Sequence, residues 1–100
     1  MKRARFVAPA REEFLAEVAY YSQVQPGQGA RFAAAVEETT ARALAFPLAG
    51  SPWHQGIRRV VLKKFPFSIA SRPDADGIVV FGIAHHSRRP GYWRNRVPAR

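Results

Sequence analysis

The sequence contains no cysteine, which excludes a disulfide framework, thiolate metal sites and thiol catalysis. Long apolar runs are missing too: the longest, Ile78 to Ala84, covers seven residues, against roughly 20 for a membrane span. The N-terminus is basic, but no apolar stretch after Arg5 suits a signal peptide. No Gly-rich phosphate loop, nucleophile elbow or His-Glu metal motif occurs. Acids are scarce in the second half, where Asp74 and Asp76 fall in a predicted turn, so paired carboxylates are hard to assemble. His54, His85 and His86 are the only histidines, and adjacent histidines at a strand end point to opposite faces. No metal and no cofactor is expected. These absences describe a soluble, cytoplasmic protein without a membrane partner.

What is present is one small domain with a real core. A chain of 100 residues with 47% hydrophobic and 12% aromatic residues can build two packed layers and is not disordered. The formal charge is +9, with sixteen bases against seven acids. It is unevenly spread: residues 1–50 carry six bases and five acids, residues 51–100 ten bases and two acids. Charge concentrated in this way predicts a polyanionic partner, either nucleic acid or an acidic protein segment.

The periodicity gives the order β-α-α-β-β-β. Arg3 to Ala8 reads as a short strand. Pro9 suits the first turn of a helix, with Glu12 and Glu13 placed where the macrodipole favours acids. Phe14, Val18 and Tyr21 make that helix's apolar face until Pro26-Gly27 breaks it. A second helix, about Gln28 to Phe46, has Phe32, Val36, Thr39/Thr40 and Ala43/Leu44 as its stripe and ends at Pro47. Leu48 to Gln55 reads as a loop. Strands follow at Ile57–Leu62, around Phe65–Ala70 with Pro66 near its start, and at Ile78–His85, the most apolar and so the expected centre of the sheet. Asp76-Gly77 marks a hairpin turn, in a loop beginning at Pro73. The expected fold is α+β, a helical hairpin packed on one face of a mainly antiparallel four-stranded sheet. Residues 1–100 form a single domain, with 94–100 a candidate flexible basic tail.

Arg58, Arg59, Lys63, Lys64, His85, His86, Arg88, Arg89, Tyr92, Trp93, Arg94 and Arg96 form a basic set interleaved with aromatics. Such a set suits RNA: cations hold phosphates, rings stack on unpaired bases, and fixed charge stabilises a phosphoryl transition state. The same set also serves binders that catalyse nothing. Trp53, Tyr92 and Trp93 equally suit cover for the open end of a small core. His85 continues the face of Phe81 and Ile83, as a buried or a functional histidine. Arg58 and Lys64 lie on the strand face opposite Arg59 and Lys63, and one of these pairs should snorkel at the helix rim.

Several segments match a known family. They are Tyr20-Tyr21, Arg31-Phe32, Phe46-Pro47, Gly56-Ile57-Arg58-Arg59, Phe65-Pro66-Phe67-Ser68-Ile69, and His85-His86-Ser87-Arg88-Arg89-Pro90-Gly91-Tyr92-Trp93. In this order and spacing the chain resembles the RelE/ParE superfamily of toxins from type II toxin–antitoxin systems, often labelled plasmid stabilisation proteins. The resemblance implies a growth-arresting toxin neutralised by a cognate acidic antitoxin in a hetero-oligomer. RelE-like members cleave mRNA on the ribosome without a metal, and this endoribonuclease activity is the expected function. Under it, Arg88, Arg89, Tyr92 and His85 are the candidate catalytic residues. Arg58, Lys63, Lys64, His86 and Trp93 are the candidate substrate-binding residues. Tyr92 would act through a pKa lowered by neighbouring arginines. The alternative is a ParE-like, non-enzymatic inhibitor of DNA gyrase.

Overall fold

Prolines and glycines set the boundaries of the two helices. The computed structural model describes residues 2–98. Strand β1 (Arg3–Phe6) leads into α1 (Ala8–Val24), whose first turn contains Pro9 and whose N-cap, Val7, offers no side-chain bond. Pro26 and Gly27 turn the chain, Gly27 at φ 82°, and α2 runs over Gln28–Ala45, stopping short of Pro47. The helices approach closely at Gly29. A Cβ there would strike the Ser22 side chain and come within 2.7 Å of the Val18 carbonyl. The expected stripe of α2 is the buried one: Phe32, Val36, Thr39 and Ala43.

Four further strands complete one sheet: β2 (Ser51–Pro52), β3 (Arg58–Val61), β4 (Phe67–Asp74) and β5 (Gly77–His85). Their order is β1-β5-β4-β3-β2, with β1 parallel to β5 and the other pairs antiparallel. The α+β arrangement of a helical hairpin on one sheet face is therefore the observed one. It has a fifth strand, because Ser51 and Pro52 in the expected loop pair with Arg59 and Arg58. β5 lies inside the sheet between β1 and β4, and β4 holds the middle position.

Two strand boundaries differ from expectation. β4 continues through Pro73, which faces Ile78 of β5. β3 pairs with β4 only as far as Ser71, so the N–H that Pro73 lacks has no ladder bond to make. β3 ends at Val61, which leaves Lys63 and Lys64 in the turn before β4 instead of alternating along a strand.

A bulge decides which side chains face the helices. Ala70 pairs with Gly82 and Ser71 with Val80, so Phe81 is the extra residue. Phe81 and Gly82 then both turn away from the helices, and the usual alternation is interrupted. His85 shares the helix-side face with Ile83 but not with Phe81, correcting the sequence reading. The helix side packs Phe32 and Val36 against Val60, Phe67, Ile69 and Val80. The opposite side packs Ile57, Ala70, Val79 and Phe81 under Trp93 and Val97. Gly82 makes room for this cover: a Cβ there would stand 3.1 Å from Trp93 Cβ.

The candidate tail is correspondingly not free over its described part. Residues Arg94–Arg96 form a 3-10 turn, and Val97 is buried. Residues 99 and 100 of the expected tail lie outside the described residues.

Candidate functional site

β1 stops at Phe6, opposite Val80, while β5 continues to His85. Side chains take over the pairing that a longer β1 would have supplied. Arg96 Nη1 donates to the Phe81 carbonyl (3.0 Å), and the Ile83 N–H donates to Glu13 Oε1 (3.1 Å). The Tyr92 hydroxyl donates to Glu13 Oε2 (2.8 Å), with the Ile83 carbonyl 3.2 Å away. Arg96 also grips Glu13 with both terminal nitrogens, at 3.1 and 3.0 Å. This is a charge-assisted fork between two side chains about one-fifth exposed. Glu13 thus stands in the second turn of α1, tied to the C-terminal segment, and does not serve the helix dipole.

The fork fixes the state of Tyr92. Burial first, then the hydrogen bond to Glu13 and its negative charge, push the hydroxyl pKa above the ordinary tyrosine value; Arg96 and Arg88 pull the other way and lose. The expected lowering by arginines is reversed, because burial of the hydroxyl, together with the adjacent Glu13, outweighs their positive charge. Arg88 instead lies over the Tyr92 ring, its Cζ 3.9 Å from the centroid.

Beside this network is a cavity of about 80 Å³, lined among others by Trp53, Arg59, Ser68, His86, Arg88, Arg89 and Trp93. Ser68 is buried and organises its wall. Arg59 Nε donates to Ser68 Oγ (3.3 Å), and His86 Nε2 lies 2.9 Å from the same oxygen. No acid among the described residues lines the cavity. Among the described residues, none of Arg59, Arg88, Arg89 or Arg94 has an ion-pair partner; the acids serve Arg5, Arg42, Lys63 and Arg96.

The cavity gathers six of the nine sequence candidates: His85, His86, Arg88, Arg89, Tyr92 and Trp93. His85 is a turn cap, its Nδ1 accepting from the Ser87 N–H (3.0 Å) while its ring meets Phe67 edge-on. Trp93 is buried and meets Trp53 edge-on, with centroids 6.0 Å apart. Arg58, Lys63 and Lys64 are elsewhere. Arg58 reaches the Gly50 carbonyl, Lys63 lies 3.6 Å from Glu38, and Lys64 occupies a turn at φ 67°. Sequence reasoning named none of Glu13, Arg59, Ser68 or Arg96 as a catalytic or substrate-binding residue: it assigned Glu13 to the helix dipole and counted Arg59 and Arg96 only in the basic set. Glu13 and Arg96 are separated by most of the chain, and no local pattern announces such a pair.

Among the described residues, no three His, Asp or Glu side chains are grouped to hold a metal ion. No described helix is long and apolar enough to cross a membrane.

Residues 4–90 match the family model described as ParE toxin of type II toxin-antitoxin system, parDE. The chain belongs to the ParE toxin family. A solved structure of the chromosomal ParDE TA system from P. aeruginosa superposes with a TM-score of 0.72. The two are 21% identical, over 85% of this chain and 96% of that one, and the likeness shows the shared fold. No curated protein sequence matches. Membership in the ParE branch overturns the expectation of ribosome-dependent mRNA cleavage, and the RNA binding and endoribonuclease activity attached to it.

Proposed function

We propose that this ParE-family chain is the toxin of a ParDE-type pair, held in a hetero-oligomer by a cognate acidic antitoxin. When freed in the cytoplasm, it arrests growth by binding DNA gyrase, without catalysing a reaction itself. The observation that carries this reading is the ParE family match over residues 4–90. The chemistry around Tyr92 supports it: a hydroxyl bound to Glu13, with its pKa raised, is a poor proton shuttle at neutral pH. The uncompensated arginines suit an acidic protein surface, where their long-range field steers association.

Arg88 and Arg89 are the proposed docking residues, while Tyr92, Trp93 and His85 hold the segment that presents them. The test is expression in growing cells with and without the antitoxin gene. Growth arrest with relaxed plasmid DNA and intact mRNA, relieved by the antitoxin, is the expected outcome. Arrest with normally supercoiled plasmid and cut mRNA would overturn the reading.

A further inference from the structure

The cavity between Arg59, His86, Arg88 and Trp53 has the features of a site whose occupant is an anion. Its polar groups are set in place by other contacts. Ser68, 2% exposed, anchors both Arg59 Nε and His86 Nε2. Arg88 lies over the ring of Tyr92, which is itself tied to Glu13. Groups oriented in advance lose less freedom on binding. The cavity wall also includes Trp53, whose buried indole N–H has no hydrogen-bond partner among the described residues. Among the described residues, the wall offers several cations and no carboxylate.

The shape selects among anions. A space of about 80 Å³ suits the charged end of one side chain. Ala70, Ala84 and the Trp93 ring make part of the wall apolar, which suits an aliphatic stem entering with the charge. Guanidinium forks match planar carboxylates in bidentate geometry. We propose that this cavity is a socket for one glutamate or aspartate side chain of the antitoxin. The choice of the antitoxin rests on the toxin reading above and on charge complementarity with a +9 chain.

The test follows the two tryptophan indole N–H signals of the full-length, nitrogen-labelled chain by NMR. The ligands are an alternating Glu-Leu peptide, its Gln-Leu counterpart, inorganic phosphate and a short single-stranded oligonucleotide. The expected result is a saturable shift of the Trp53 signal with the Glu-Leu peptide and none with Gln-Leu. Arg59→Gln and Ser68→Ala, with their folds checked by Tm, should each weaken the effect by about tenfold or more. No shift with Glu-Leu, or tighter binding of phosphate or the oligonucleotide, would overturn the socket. A second arm measures dissociation of the co-purified antitoxin complex, which Arg59→Gln should speed by about tenfold. An unchanged rate would overturn the antitoxin as the source of the carboxylate. If the wild-type chain binds no antitoxin at all, the toxin reading and this assignment fail together, while the peptide titration still decides the socket.

Discussion

Glu13, Tyr92 and Arg96 concentrate the interactions that fasten the C-terminal segment to the sheet. Glu13 is the acceptor for both other side chains and for the backbone of Ile83. Glu13→Gln leaves the Arg96 guanidinium, about four-fifths buried, without its counter-charge, and should cost about 3 kcal/mol in chemical denaturation. Tyr92→Phe keeps the ring under Arg88 and removes the hydroxyl, at an expected cost of about 1–2 kcal/mol. The pH dependence has a definite sign. The fold favours protonated Tyr92, so its contribution is complete below about pH 10, the pKa of an unfolded tyrosine, and is lost as pH rises beyond it. Wild-type stability should therefore fall more steeply than that of Tyr92→Phe in alkaline unfolding titrations. Parallel curves for the two proteins would contradict the raised pKa. None of this was legible at Tyr92 from the sequence, where only the nearby arginines were visible. Its acid lies 79 residues away.

Among the elements, β5 is organised by the Phe81 bulge and by Gly82. Gly82→Val should push Trp93 off the sheet and cost about 1–3 kcal/mol, as overpacking does, with loss of near-UV circular dichroism from the tryptophans. Gly29→Ala should separate the helices, since its Cβ has no room against Ser22 and the Val18 carbonyl. A Tm unchanged by either substitution would contradict the close approaches described. The helices were legible because Pro9, Pro26-Gly27, Pro47 and the Phe32-Val36-Thr39-Ala43 stripe are local signals. The bulge was not. It leaves β5 looking like a continuous apolar strand, and only the β4 register reveals that Phe81 and Ile83 face opposite ways. The same gap misplaced Lys63 and Lys64, because the end of β3 at Val61 is set by its partner strand and not by its own residues.

On the scale of the whole molecule, charge is divided between compensated and uncompensated arginines. Arg96 and Arg42 are neutralised by Glu13 and Glu38, whereas Arg59, Arg88, Arg89 and Arg94 are not, among the described residues. Arg59, Arg88 and Arg89 of this free set line one cavity on the sheet face opposite the helices, the surface proposed above for docking. Association with a protein target through it should slow steeply with added salt, by way of the on-rate. Arg88→Ala and Arg89→Ala should weaken target binding with little change in Tm, since both side chains are exposed. The measurement that tests the central claim most directly is DNA supercoiling by purified gyrase in the presence of the purified chain. The account predicts dose-dependent loss of supercoiling, relieved by antitoxin and diminished in the Arg88 and Arg89 variants. Full supercoiling at a large excess of wild-type chain would contradict it.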